Sequence, residues 1–261
     1  MTRNLIALAG LAAVATAANA QVGVAVSGSG ADNFVSETIT VDIAYDGNAM
    51  TNGTWSGGDM FGITSRSTVG ATGMPFSIAD DSLFGFSGDN LGIIDETDQD
   101  RFFGVTDTFN GANPSNGGNA VWQFNGGSNL EVSIDMAAMG DFEGSGNTDI
   151  FDFTYSYDGV NFFPLFTSSV DEAGAQDYTM AGGLTYNLSD PMDMNGTRLI
   201  NTFQTLTASA PGSGSSFYVA FYGQTDGSEG FAFRNMIVNV PTPGTAAVLG
   251  LAGLAGIRRR R

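Results

Sequence analysis

The sequence predicts an all-β protein built as an antiparallel β-sandwich, and three observations carry that prediction. Apolar side chains recur at every second position in several separate runs, the spacing of a half-buried strand. Thirty-seven glycines, seven prolines and clusters of Asn, Asp and Ser punctuate those runs. No stretch between residues 21 and 240 sustains the 3.6-residue period of a helix.

The elements follow in chain order. Val35, Glu37, Ile39, Val41, Ile43 and Tyr45 alternate with Ser36, Thr38, Thr40 and Asp42, giving a long first strand closed by Asp46 and Gly47. Strand-like pieces then occur at 60–64, 83–86, 91–94, 101–105 and 121–124, with a turn-rich loop at 110–119. Leu130, Val132, Ile134 and Met136 form one strand face; Phe151, Phe153, Tyr155 and Tyr157 form another. Asp158-Gly159 is a type I′ turn signal and predicts a hairpin into 161–166. Phe217, Val219 and Phe221 point one way, Tyr218 and Tyr222 the other, and Asp226-Gly227 predicts a closing hairpin into 230–240. Many short strands joined by such turns pack as two sheets.

Both ends differ from this middle. Arg3, the apolar run 5–18 and Ala18-Asn19-Ala20 before Gln21 have the layout of a signal peptide, with cleavage by signal peptidase expected between Ala20 and Gln21. At the other end Pro241 and Pro243 precede a small, apolar run at 244–257 and then Arg258, Arg259, Arg260 and Arg261. As a helix that run would reach about 21 Å, short of the ~30 Å hydrocarbon core, and the prolines stop it from extending backwards. The arginines would remain on the cytoplasmic side and leave the domain outside. The expected organisation is a signal helix at 1–20, one β-sandwich domain at 21–240 and a short apolar helix with flanking signals at 241–261.

All twenty-seven acids, but only four of the nine basic residues, lie between Asp32 and Glu229, so that span carries four positive against twenty-seven negative charges, a net −23. A field of that sign excludes nucleic acid and anionic lipid as partners and leaves membrane contact to the C-terminal segment. It favours cations. The chain has no histidine and no cysteine, which removes disulfides, Ser-His-Asp and Cys nucleophiles, and His- or Cys-ligated zinc and iron. Carboxylate-pair catalysis is the main enzymatic route left.

Three features invite a functional reading. Asp95, Asp98 and Asp100 sit on one loop beside Arg101 and form either a Ca²⁺ loop or a solvated acidic turn partly neutralised by that arginine. Asp141, Glu143 and Asp149 lie on a glycine-bearing loop between two well-patterned strands, a setting for a structural Ca²⁺ clip, with a plain polar loop as the alternative. Tyr218 and Tyr222 oppose the apolar face of their strand and are the best candidates for stacking against sugar, although aromatics at this spacing most often fill a core.

Two resemblances follow from these residues. The run 130–240 resembles the jelly-roll sandwiches found in carbohydrate-binding modules and in many exported bacterial domains, which implies a fold without naming a ligand. The layout of signal peptide, β-rich domain, Pro241, Pro243, Gly244, apolar run and arginine cluster resembles the PEP-CTERM class of exported bacterial proteins. That resemblance implies recognition and cleavage by an exosortase-type membrane transpeptidase; Thr242 stands where the usual signal has glutamate, and an ordinary C-terminal membrane helix is the alternative. The expectation is therefore an exported, surface-sorted, non-catalytic protein of the cell envelope or extracellular matrix, binding extracellular polysaccharide or Ca²⁺. A secreted carbohydrate-active enzyme using an Asp/Glu pair, or a coat or filament subunit, are the competing readings.

Overall fold

A computed structural model describes residues 20–40, 60–64, 98, 100–106, 108–109, 116–146, 149–179, 185–225 and 229–241. Among the described residues every regular element is a strand: β1 (Ala20–Ala25), β2 (Ser36–Thr40), β3 (Met60–Thr64), β4 (Phe102–Thr106), β5 (Gly118–Met139), β6 (Ile150–Ser156), β7 (Phe163–Phe166), β8 (Ser168–Val170), β9 (Ala175–Thr179), β10 (Thr185–Ser189), β11 (Met192–Met194), β12 (Thr197–Arg198), β13 (Gln204–Gln224) and β14 (Gly230–Val240). The pairings among strands β2 to β14 are antiparallel. Residues 21–240 form one compact unit. The predicted pieces at 83–86 and 91–94, the strand positions Val41, Ile43 and Tyr45, and both terminal helices lie outside the described residues.

Nine strands join in one sheet of order β3-β4-β14-β5-β13-β6-β7, with β1 on β14 and β2 on β5. The sheet becomes a sandwich because β5 and β13 change neighbours along their length. Beside 119–123 of β5 runs β2, whereas beside 131–139 runs β14. On the other edge β13 pairs with β5 throughout, and its second half also pairs with β6. One layer thus contains β2, the first half of β5, the second half of β13, β6 and β7; the other contains β3, β4, β14 and the remaining halves. Their phenylalanines meet in between. Phe221 and Phe153 from the first layer lie 4.9 and 5.0 Å from Phe233 of the second, and Phe61 stacks on Phe221 at 6.0 Å. Trp122 completes the contact edge-on to Phe103 and Phe233, and its indole N–H donates to Glu37, which accounts for an acid on the apolar face of β2.

Three local expectations are corrected. The pieces at 121–124 and from Leu130 onward are one strand, because the glycines between them allow close approach to β13: a Cβ on Gly126 would collide with the Gly214 carbonyl. Opposite, β13 carries Pro211 in the register shift between Ala210 and Ser213, the sort of place a sheet tolerates proline. Second, β13 and β14 do not form a hairpin; they lie on opposite edges of β5. Third, Asp158-Gly159 sits in a six-residue connection, 157–162, instead of a two-residue turn. There the Asp158 carboxylate accepts bonds from the Val160 and Asn161 amides and from Ser156 Oγ, which shapes a wider loop.

Between β7 and β13 the chain adds two small sheets, β9-β10 and β8-β11-β12. They deliver Met192, Met194 and Leu199 to the main core, and the Ala138 amide donates to the Ile200 carbonyl at 2.9 Å. This covers the end of β5, where Ala137, Ala138 and Met139 are all buried on consecutive positions.

Candidate metal centre and adjoining groove

The loop after β5 begins at Gly140 and is anchored by Phe142, which is buried edge-on to Phe151 and donates its amide to the Asp190 carbonyl at 3.1 Å. Beyond it the chain closes on itself. The Glu143 amide donates to Asp149 Oδ2 at 2.7 Å, and the Asp149 amide returns a bond to the Glu143 carbonyl at 2.8 Å. Antiparallel register then brings in a third acid. Gly230 pairs with Met139, so Glu229 stands opposite Gly140, close enough that a Cβ there would meet Glu229 Cγ at 2.6 Å.

Glu143, Asp149 and Glu229 consequently place one carboxylate oxygen each within 4.8 Å of one another. Asp149 and Glu229 are buried, at 3% and 5% exposure, and Glu143 opens to solvent. Oxygens bound to a calcium ion at about 2.3–2.6 Å lie at most about 5 Å apart across it, so the spacing fits one hard divalent cation. Three carboxylates with no nitrogen or sulfur donor select Ca²⁺ or Mg²⁺ over zinc. The sequence put Glu143 and Asp149 forward as candidate ligands, with a plain polar loop as the alternative; Glu229 escaped it because strand register is a tertiary property.

Asp141, also expected among these ligands, is placed elsewhere. It stands outside the group of three carboxylates, and its neighbour Phe142 is bonded to the Asp190 carbonyl. Burial, then the charge of Asp141, raise the Asp190 carboxyl above the ordinary carboxylate range, with Glu172 and Asp171 adding to the effect. Tyr178 is fully buried alongside, and burial pushes its hydroxyl up from its usual value.

Next to the triad lies a groove of about 500 Å³, lined by Asp149, Asp152, Glu172, Ser168 and Ser169 among others. Asp152 Oδ1 accepts bonds from Ser168 N and Oγ at 2.9 and 3.2 Å. Asp152, which lines it, is the register partner of Tyr222 on the outer face of the first layer. Tyr218 and Tyr222 are both partly exposed on this face, opposite the buried Phe217, Val219 and Phe221, as the alternation predicts. Gln123 and Ser156 flank Tyr218; Asn119 and Asp152 flank Tyr222. Tyr222 donates to Gln224 Oε1 at 2.7 Å, and burial raises its hydroxyl.

The acidic turn before β4 has a different partner. Asp98 Oδ2 lies 2.7 Å and Asp100 Oδ2 3.7 Å from Arg234 Nη1, whose guanidinium sits 4.1 Å above the Phe203 ring. Arg101, expected to neutralise this turn, instead binds Asp32 at 2.7 Å. A guanidinium therefore supplies the positive charge at Asp98 and Asp100; Asp95 lies outside the described residues. Of the terminal signals, Ala20 and Gln21 open β1 and are exposed, and Pro241 is exposed after β14. Pro243, Gly244, Arg258, Arg259, Arg260 and Arg261 are outside the described residues. Among the described residues no helix is long and apolar enough to cross a membrane.

No family model matches the chain, and no curated protein matches it. Among solved structures, the chain overlaps a Clostridium thermocellum endo-1,4-β-D-xylanase 10B fragment, its CBM22-1 and GH10 modules in complex with xylohexaose. Identity is 12%, the TM-score is 0.27, and the overlap covers 57% of this chain. It spans 23% of the xylanase fragment. Function must accordingly be read from the residues themselves.

Proposed function

We propose that the chain is an exported, non-catalytic β-sandwich protein of the cell surface or extracellular matrix that binds Ca²⁺ through Glu143, Asp149 and Glu229 and presents Tyr218 and Tyr222 to glycan. The convergence of three carboxylates within 4.8 Å, two of them buried, carries this reading. Buried carboxylates so close together repel one another strongly, and a divalent cation converts that repulsion into cross-linking of the 143–149 loop to β14. Export and sorting rest on the signal-peptide and Pro-x-Pro-Gly layout of the two ends.

The glycan part rests on the outer face around β13. Two partly exposed tyrosines separated by Ala220, with amide, hydroxyl and carboxylate neighbours in register, offer stacking and hydrogen bonding to a neutral sugar. The strong negative charge disfavours an anionic polysaccharide. The groove acids have structural tasks, Asp152 holding Ser168 and Asp149 holding the Glu143 amide, which favours binding over catalysis by a free Asp/Glu pair.

Calorimetric Ca²⁺ titration of the full chain, with melting in Ca²⁺ and in chelator, tests the metal. Binding that raises the melting temperature is expected, and an identical melt in both conditions would discard the calcium reading. A glycan array run in Ca²⁺ tests the second part; loss of glycan signal in Tyr218→Ala and Tyr222→Ala is expected, and unchanged signal removes those residues from any binding surface.

A further inference from the structure

The two tyrosines on the outer face of β13 lean apart and leave a trough between them. A Cβ at Gly159 would lie 3.2 Å from Tyr218 Cζ, so that ring tips towards the 157–162 loop. A Cβ at Gly117 would lie 3.0 Å from Tyr222 Cζ, so the second ring tips towards the start of β5, and its hydroxyl reaches Gln224. Tyr218 pairs with Ser156 and Tyr222 with Asn119. In that antiparallel register Gly159 lies past Ser156 and Gly117 past Asn119, at opposite ends of the stretch from 218 to 222. Four residues of strand separate the two Cα atoms by about 13 Å, and the outward lean widens the gap between the rings.

Only short side chains floor that gap. One register line crosses five strands there: Thr38 of β2, Val121 of β5, Ala220 of β13, Thr154 of β6 and Pro164 of β7. With neighbouring strands about 4.7–4.9 Å apart, the line runs for about 19 Å across the strand direction. At this level β5, β13 and β6 are each paired on both sides, so the floor offers side chains and no free backbone edge. Charge is missing as well. In a span with twenty-seven acids, this line and the two same-face lines beside it on β2, β5, β13 and β6 hold one, Asp152, whose Oδ1 is engaged by Ser168. Gln123, beside Tyr218, is fixed by bonds with Ser36 at 3.1 Å and Ser216 at 3.3 Å. A cation is drawn to the acids elsewhere on the domain and an anion is repelled by all of them, so a neutral strip suits an uncharged ligand.

We infer that an internal stretch of a linear, uncharged polysaccharide lies in this trough across the strands, flanked by Tyr218 and Tyr222 and resting on Val121, Ala220 and Thr154. The inference rests on the reading of both tyrosines as glycan contacts and adds the direction, charge class and length of the chain they hold. Pyranose rings present flat C–H faces to aromatic walls and hydroxyls to amide and hydroxyl side chains, the two chemistries found here. A sugar unit is about as long as one step between strands, so about four units fill the line from β2 to β7. The line runs from one edge strand of the layer to the other, and binding needs no chain end.

Affinity electrophoresis of the full chain in Ca²⁺ tests it, in gels carrying xylan, mixed-linkage glucan or amylose, with carboxymethylcellulose as the anionic control. Retardation by at least one neutral polymer and none by carboxymethylcellulose is expected. Oligosaccharides of the retarding polymer, titrated by calorimetry, should bind about tenfold more tightly at four units than at two, and no more tightly at six. Ala220→Tyr fills the middle of the trough while leaving both tyrosines in place, and should weaken binding about tenfold or more. Should Ala220→Tyr fail to fold, Thr154→Tyr blocks the same line from β6. Binding lost in Tyr218→Ala and Tyr222→Ala but kept in the filled variants overturns the trough and spares the tyrosines. Equal affinity for two, four and six units, or retardation by carboxymethylcellulose, does the same. Binding kept in all these variants, or no retardation by any neutral polymer, overturns both.

Discussion

The layered body of the domain and its acidic end are held together by different physics. In the body, β5, β6, β13 and β14 bury a continuous set of phenylalanines whose ring centroids lie 4.5–6.4 Å apart between Phe151, Phe153, Phe221, Phe231 and Phe233. That cohesion is apolar, non-directional and needs no charged partner. At the end formed by the 140–149 loop and the 167–203 insertion, buried or half-buried carboxylates crowd together, and order depends on hydrogen bonds, Arg198 and the proposed ion. A chain without cysteine has placed its stability in the first region and its sensitivity to solution conditions in the second.

The largest expected effect probes the body. Phe221→Ala, at the meeting point of both layers, should cost about 3–5 kcal/mol, measured by urea denaturation, equally in Ca²⁺ and in chelator. A strongly calcium-dependent cost would erase the distinction between the regions. Glu229→Gln should act the other way: in Ca²⁺ at about a hundred times its dissociation constant it forfeits about 2.7 kcal/mol of ligand stabilisation, while in chelator it melts at or above the wild-type temperature because a repelling charge has gone. Melting curves in the two conditions check this.

Arg234→Met tests an ordinary ion pair against these. With its side chain 15% exposed and engaged by Asp98, Asp100 and Phe203, its loss should cost about 1–3 kcal/mol in denaturant, independent of Ca²⁺. Tyr222→Ala should leave folding nearly intact and weaken glycan binding about tenfold, equal to ~1.4 kcal/mol, by affinity electrophoresis. The smallest effect belongs to Asp158. The Asn161 backbone amide and side chain, with Val160 and Ser156, hold its carboxyl well below the ordinary value of 3.8. Because the folded value is depressed, its contribution is complete above the ordinary value and is lost as pH falls towards the folded one. Wild type and Asp158→Asn should therefore converge in acid melting series and differ slightly at neutral pH.

Much of the body was legible because period-2 burial is a local property. Leu130 to Met136, Phe151 to Tyr155 and Phe217 to Phe221 alternate as read, and Tyr218 and Tyr222 fall on the opposite face. Breaks were harder to read. Gly126 and Pro211 look like loop residues, yet the strands pass through them, because a sheet bending between two layers needs small residues and an irregular register there. The small sheets β8 to β12 carry short, mixed patterns and left no periodic signal.

By itself the sequence determined the β class, the acidic charge, the absence of histidine and cysteine chemistry, and the acidic loop between two strands, since each depends on composition or near neighbours. Tertiary structure alone decided which acids meet. Glu229 reaches Glu143 and Asp149 through the register of β14 on β5, Asp141 stays outside that group, and Arg234 takes Asp98 and Asp100. Those partnerships span up to 136 residues, and chain spacing carries no information about them: strand pairing and layer crossing bring the charges together.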